Sequence, residues 1–438
     1  MLSALLWKSY FRARGLQDAW RQMDAHRRMD GREARREMAA RLLEQVRYFG
    51  GREDAFPEWR EAAAIRDPGD LWKVWPQLPI ITRRDLQTRF EARQMQHRFQ
   101  IKGIVGHTGG STGEPTPYLH DTRMLWAATA ARAYCRQQFG WKPGMATVCV
   151  WGSERDVGRA GSWRNGVSGR LRRDWIVAGY GLGPATADRA FGLIEAHRPV
   201  ALFGFTSMLE FIAREALRRG LNLRDGAVAA AWNGGEMLYP QQAEVFAGAF
   251  GARLSNLYGS RELSAMAYQS PHRSALIPLR PFLFLEIVND RGNPAGPGES
   301  GRLVWTSTAC RGTPFLRYEC GDLGSYGEGD ADESGIRSLR ELHGRTAGLI
   351  RMNGRIINGL FWNHLFKEFP CVEQFQVLVK GERELALRLK GSPFSREQEK
   401  QVRQLVQRLA GDVPVRMQWV ERLPLSRQGK LEQVVREP

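Results

Sequence analysis

The chain has 438 residues, 42% hydrophobic and 25% charged, with a formal net charge of +17 carried mainly by arginine. That length allows two or three domains with a large buried core, and no segment approaches the apolar run that a membrane-spanning helix needs. The charge suits nucleic acid, anionic lipid or phosphate-rich small molecules and selects none of them alone.

Residues 1–7, "MLSALLW", are apolar, but Lys8 and Arg12 end the run. It is too short for a signal peptide, so a cytoplasmic protein is expected, with the N-terminus and the basic surface as the candidates for membrane-surface contact. Residues 16–48 read as helix rich in both charge signs, more as a solvated face than as an RNA-binding stripe. "LPIITRRDLQTRF" (78–90) is a short apolar run followed by a helix start. The loop "GHTGGSTGEP" (106–115) comes next.

From about 120 to 260 strands and helices alternate. "MATVCVWG", "PVALFGF", "AVAAAWNGG" and "RLSNLYGS" read as strands. "TADRAFGLIEAH", "SMLEFIAREALRRG" (opened by Ser207) and "PQQAEVFAGAFG" read as helices. Such alternation argues for a largely parallel, doubly covered sheet with ligands at the carboxyl ends of its strands. The loops "WNGGEML" and "YGSRE" fall at such ends. Residues 282–307 change to strand, Gly/Pro-rich turn and strand, an antiparallel and barrel-like pattern. After "LHGRTAG" (342–348) the chain starts again as a small α+β unit. The expected fold is therefore α/β: a large domain over 1–344 with helix-covered, mostly parallel sheets plus a small barrel-like part, and a small mobile α+β domain over 345–438.

Five scattered cysteines without a C-x-x-C pair read as free thiols. The glycines of 106–115 let backbone N–H groups crowd around an anion, and the hydroxyls add donors, which suggests a phosphate cradle. The loop lacks the Lys-Ser/Thr of a P-loop. "GYGLGPA" (179–185) lacks the spacing of a dinucleotide fingerprint. Lone histidines, His107 and His120 among them, read as structural or surface polar groups.

Four further stretches join the loop: "LYGSREL" (257–263), "FLRYECGDLGSY" (315–326), "LHGRTAGLIRMNGRIIN" (342–358) and "ERLPLSRQGKLEQ" (421–433). In this order and spacing the chain resembles the adenylate-forming superfamily of acyl-CoA synthetases and peptide-synthetase adenylation domains, from about residue 75 to the C-terminus. Within it the chain is most similar to the phenylacetate–coenzyme A ligase branch and its capsule-biosynthesis relatives. The resemblance implies that Thr108, Gly109, Gly110, Ser111, Thr112 and Gly113 bind phosphates. It implies that Gly234, Gly235 and Glu236 line the adenine pocket and that Tyr258, with Gly259 and Ser260, packs on adenine. Glu262 would hold Mg²⁺, Asp322 the ribose hydroxyls, and Arg345 the nucleotide at the hinge. Lys430 would bridge the carboxylate substrate and the α-phosphate.

Two positions depart from the family pattern. Glu114 stands where the family usually has Lys, which leaves phosphate neutralisation to arginines and Mg²⁺. Ala347 stands where relatives often carry an acid. Only His272 is a candidate zinc ligand where some relatives carry a cysteine-rich site, so no zinc is expected. The acid substrate would lie near Phe203, Phe205, Thr206, Trp232 and Asn233, whose aromatic members suit an apolar ring. The arginine-rich stretch 155–175, with Arg170, Arg172 and Arg173, suits acceptor phosphates through guanidinium forks.

The expected activity is ATP-dependent, AMP-forming ligation of an aromatic or small acyl acid, with coenzyme A or a carrier thiol as acceptor. One alternative sends the acyl group to an amine or hydroxyl. Another, a non-catalytic nucleic-acid- or membrane-binding protein, is disfavoured by Glu262, Asp322 and Lys430 occurring together.

Overall fold

The computed structural model describes residues 16–108, 116–151, 173–179, 183–270, 274–331, 337–345, 350–352, 355–357, 362, 365–366, 368–381, 384–411, 413–425 and 431–437. The chain divides into two compact units: Met1–Cys320 with Gly324–Leu342, and Gly321–Leu323 with His343–Pro438.

In the first unit the N-terminal helical region is two helices, α1 (Leu16–Arg28) and α2 (Gly31–Gly50). The break lies at Asp30, whose carboxylate accepts from the Glu33 N–H at 2.8 Å as an N-cap. Met38, Leu42, Val46 and Phe49 form the buried stripe of α2 at helical spacing. Arg21, Arg27 and Arg28 of α1 point outward and pair with Asp18 and Asp24, as a solvated face does.

Four short helices (57–63, 71–74, 83–88 and 92–98) follow. Thr82 and Asp85 close a capping box at the third of them. Strands β1 (Gly103–His107) and β2 (Pro117–Asp121) then form an antiparallel hairpin in which Gly103 faces Asp121 and His107 faces Pro117. The Gly-rich loop is the connection between these two strands. Asp121 caps the next helix, α3 (Thr122–Gln138), by accepting from Met124 N–H at 2.9 Å.

Strands β3 (Ala146–Trp151), β4 (Asp174–Ala178), β5 (Val200–Gly204) and β6 (Val228–Asn233) form a wholly parallel sheet in the order β4-β3-β5-β6. The helices α4 (Pro184–His197), α5 (Thr206–Arg218) and α6 (Pro240–Phe250) supply Ile194, Leu209, Phe246 and Phe250 to a core shared with Val148, Leu202 and Val228. The expected strand–helix alternation is present here, because the central strands are apolar runs and each helix carries one apolar face. Two details differ from the expectation. Strand β4, "DWIVA", joins the sheet behind the arginine-rich stretch, and "RLSNLYGS" supplies a strand to the other sheet of this unit.

That second sheet is seven-stranded: β7 (Leu257–Ser260), β8 (Ser264–Gln269), β9 (Leu276–Pro278), β10 (Leu283–Val288), β11 (Ser300–Ser307), β12 (Tyr318–Ala331) and β13 (Arg337–Arg345), in the order β10-β11-β12-β13-β9-β8-β7. Its pairings β7–β8, β8–β9, β9–β13 and β10–β11 are antiparallel. The strand–turn–strand segment read as barrel-like is the β10–β11 hairpin at one edge of this sheet. Residues 321–323 of β12 and 343–345 of β13 group with the second unit. Arg317, which is buried, bonds Glu286 and the carbonyls of Pro76 and Leu78, and so fastens the segment before the third short helix to this sheet. Burial raises the Glu286 carboxyl above its ordinary range, against the pull of Arg317.

The second unit contains the short hairpin β14 (Ile350–Met352) and β15 (Arg355–Ile357), and a sheet of β16 (Val372–Lys380), β17 (Glu384–Gly391), β18 (Val415–Trp419) and β19 (Val434–Glu437) in the order β18-β17-β16-β19. Helix α7 (Arg396–Ala410) packs Val402, Val406 and Ala410 with Val377, Leu387 and Leu389.

Candidate functional site

The carboxyl ends of β5 and β6 in the first unit carry the residues 203–207 and 232–236. Asn233 is fully buried, and its side chain is fully employed. Nδ2 donates to Thr206 Oγ1 at 2.9 Å and to the Glu236 carbonyl at 3.0 Å, and Oδ1 accepts from Leu257 N–H at 3.0 Å. Asn233 thus clasps the two strand ends to the start of β7. Asn233→Ala is expected to lower stability by about 2 kcal/mol, because buried donors and acceptors lose their partners. Urea unfolding measures this, and an unchanged midpoint would show that the clasp contributes nothing.

The aromatic residues at these strand ends stack on one another. Trp151 lies on Phe203 with ring centroids 5.2 Å apart, Phe203 on Trp232 at 5.6 Å, and Trp232 on Phe139 at 5.8 Å, with interplanar angles of 28°, 23° and 24°. Phe205 packs against Trp151 at 4.1 Å. Trp232, Phe205 and Thr206 are buried; Phe203 and Trp151 keep a partly exposed face. Of the five residues expected to face the acid, Phe203 therefore has the open surface, and Trp151, which sequence reasoning missed, shares it.

Glu236 lies at the N-terminus of α5. Its two carboxylate oxygens accept from the Ser207 backbone N–H at 2.8 Å and the Ser207 hydroxyl at 3.1 Å. The helix begins at Thr206, and Phe205 at the cap position offers no side-chain bond, so Glu236 caps it from a distant loop. This corrects the reading of Ser207 as the helix opener. Gly235 takes a left-handed φ of +75°, and a Cβ on Gly234 would come within 3.0 Å of the Phe203 ring.

Glu262 lies in the turn between β7 and β8 and is 5% exposed. Among the described residues its carboxylate has no hydrogen-bond or salt-bridge partner. Burial raises the phenols of Tyr118 and Tyr318, and in each the nearby Glu262 charge adds to the effect. The His120 ring lies 2.6 Å from the Glu262 carbonyl oxygen through Nε2. Burial lowers the His120 pKa, partly offset by that bond, so the ring is neutral at pH 7. Tyr258 is almost fully buried; its hydroxyl lies 3.4 Å from Cys320 Sγ and its ring 6.0 Å from that of Trp305.

Thr108 closes the neck of the Gly-rich loop. Its N–H donates to the Thr116 carbonyl at 2.9 Å, and its hydroxyl accepts from the Thr116 N–H at 3.0 Å. Gly109, Gly110, Ser111, Thr112 and Gly113 lie outside the described residues, as do Arg170, Arg172, His272 and Lys430. Arg173 is described, and its position differs from the expectation. It precedes β4 with φ +59°, and its Nη1 donates to the Gly144 carbonyl at 3.2 Å, before β3 begins. That is the amino edge of the parallel sheet, about 15 Å of strand away from the carboxyl ends. Asp322 lies on β12 after Gly321, which has φ +84°, and Arg345 ends β13; both belong to the second unit.

A carboxylate is a fitting oxygen donor for a hard metal, and Glu262 holds one in the turn between β7 and β8. Among the described residues no group of three or more His, Cys, Asp or Glu is placed to hold a metal ion. One carboxylate completed by phosphate oxygens and water is the donor set that Mg²⁺ favours.

Residues 104–310 match the family model described as AMP-binding enzyme, and residues 349–437 the one described as CapK C-terminal domain. The chain is 24% identical over 335 residues to a phenylacetate–coenzyme A ligase of Thermus thermophilus, covering 74% of this chain and 73% of that protein. Its fold is similar to that of a 2-hydroxyisobutyryl-CoA ligase in the postadenylation state, with TM-score 0.67 and 18% identity over 92% of this chain and 90% of that one. It is also similar to an amide bond synthetase from Marinactinospora thermotolerans, with TM-score 0.54 and 20% identity over 75% and 67% of the two chains.

Proposed function

From a chain that belongs to the adenylate-forming superfamily, we propose an AMP-forming carboxylate ligase that makes acyl-AMP from ATP and an aromatic or small acyl acid, then passes the acyl group to coenzyme A. The observation that carries this reading is the Glu262 carboxylate, set in the turn whose main chain His120 ties to the strand that leaves the Gly-rich loop.

The chain's own residues do the following. The N–H groups and hydroxyls of 108–113 cradle the phosphates as fixed dipoles. Glu262 would hold Mg²⁺, which, when bound, neutralises phosphate oxygens. Tyr258 and the 234–236 segment border the adenine, and Asp322 accepts from the ribose hydroxyls. The exposed face of Phe203, with Trp151, receives the apolar part of the acid. The small domain from about residue 345 acts as a lid: Arg345 meets the nucleotide at its hinge, and Lys430 stabilises charge at the α-phosphate. Cytoplasmic localisation belongs to the same proposal; among the described residues no helix is long and apolar enough to cross a membrane.

ATP–pyrophosphate exchange across a panel of carboxylic acids tests the adenylation step. Exchange with none of them would defeat the reading. Product analysis with and without coenzyme A separates thioester formation from transfer to an amine or hydroxyl.

Arg170 and Arg172 are proposed to contact the acceptor's phosphates; Arg173, at the other end of the sheet, is left out. Neutralising Arg170 and Arg172 together is expected to raise the KM for coenzyme A roughly tenfold, the size of losing charge-assisted contacts, and to spare pyrophosphate exchange. A raised KM for ATP would instead assign them to the nucleotide.

A further inference from the structure

The turn that carries Glu262 is strained. Ser264 adopts a left-handed φ of +65°, and Gly259 passes so close to the Ser264 carbonyl that a Cβ would lie 2.3 Å from its oxygen. Such conformations persist only where neighbours over-determine them. Three side chains do so here. Ser260 Oγ accepts from Leu263 N–H at 3.1 Å, Arg132 Nη1 donates to Ser264 Oγ at 2.8 Å, and His120 Nε2 donates to the Glu262 carbonyl at 2.6 Å. Of these, only His120 bonds Glu262 itself.

His120 lies on β2, the strand that leaves the Gly-rich loop. Its ring is held by Tyr118, on the same strand face, at 4.6 Å and by Phe315 at 6.4 Å. A carbonyl only accepts, so Nε2 must carry the proton of this bond. The imidazole is thus a packed, oriented donor joining two pieces of chain, one bearing the loop and the other the carboxylate.

We infer that His120 is a positioning residue of the adenylation site: it ties the strand behind the phosphate loop to the carboxylate turn and sets where Glu262 meets Mg²⁺ and the ATP phosphates. This rests on the adenylation reading above. The role differs from that of a ligand or a proton carrier, since the bond goes to the main chain of the residue that would bind the metal.

His120→Leu keeps an apolar side chain and removes the donor; His120→Gln restores an N–H at similar reach. Each protein is loaded with α,β-methylene-ATP and titrated with Mn²⁺, with free Mn²⁺ read by electron paramagnetic resonance. His120→Leu is expected to weaken Mn²⁺ binding about tenfold or more, the range for lost outer-shell partners, and His120→Gln to stay within about twofold of wild type. The Mg²⁺ half-saturation of pyrophosphate exchange should rise in parallel, while transfer from ready-made acyl-AMP stays at the wild-type rate. Wild-type Mn²⁺ affinity in His120→Leu, or equal losses in both variants, overturns the inference. If His120→Leu does not fold, His120→Asn, whose shorter side chain withdraws the donor, replaces it with the same two outcomes. A wild-type protein that exchanges with no acid overturns the adenylation reading and this inference together; wild-type exchange beside an unaffected His120→Leu overturns the positioning role alone.

Discussion

Glu262→Gln is expected to lower acyl-AMP formation roughly a thousandfold, about 4 kcal/mol of transition-state stabilisation, without destabilising the fold. The two halves of that expectation have separate causes. The amide keeps the shape of the side chain but cannot neutralise a metal's charge, so phosphates under attack lose a partner that counts most as pyrophosphate departs. The fold, by contrast, gives up a carboxylate that is 5% exposed and has no salt-bridge partner among the described residues. An amide of the same shape breaks no ion pair with the described residues, so the unfolding midpoint should stay unchanged. Pyrophosphate exchange and thermal unfolding of the nucleotide-free protein measure the two effects. Normal exchange would remove Glu262 from the metal; a large fall in the midpoint would make it a structural residue.

Lys430→Ala is expected to cost roughly a hundredfold in acyl-AMP formation, about 3 kcal/mol, and to leave acyl transfer from ready-made acyl-AMP near the wild-type rate. The stretch "SRQGK" falls in the connection between β18 and β19, the two edge strands of the second unit's sheet. Lys430 is therefore carried by the small domain, and the proposed lid movement decides when its ammonium meets the α-phosphate. A charge needed in only one of two transition states is a differential contribution, and the two half-reactions read it separately. Equal loss in both would show that the lysine is structural or that the domains do not alternate.

What the sequence makes legible is what is local. Apolar runs with Gly and Pro punctuation locate β3, β5 and β6, and one-sided apolar spacing locates the helices beside them, because those signals lie within a dozen residues. Strand β4 is harder to read, since "DWIVA" is short and follows a run of arginines and glycines. Bonds between distant segments leave no local signature at all. Glu236 caps α5 across 29 residues of chain, and His120 reaches Glu262 across 142. Ser207 satisfies the usual rule for a helix start, yet the helix begins one residue earlier, and a carboxylate from another loop accepts from the Ser207 N–H and hydroxyl. Trp232 and Phe205 suit a substrate by aromatic character, which does not reveal whether a ring faces a ligand or the core. The β10–β11 hairpin is legible because strand, Gly/Pro-rich turn and strand are contiguous in the chain. For the site, the motifs carry the residue types in order, but not the support beneath Glu262.

The Thr108–Thr116 neck makes the Gly-rich connection an insert between fixed endpoints. Closing a chain segment costs an entropy that grows only with the logarithm of its length, and the bonds at 2.9 and 3.0 Å hold the two endpoints together. Gln87, donating to the Thr116 hydroxyl at 3.0 Å, adds a third bond from outside the hairpin. The pairing at the end of the hairpin is thus held by Thr108, Thr116 and Gln87, which lie outside 109–115. Glu114, where the family usually has Lys, is not a party to these bonds, so they can form with either side chain at that position.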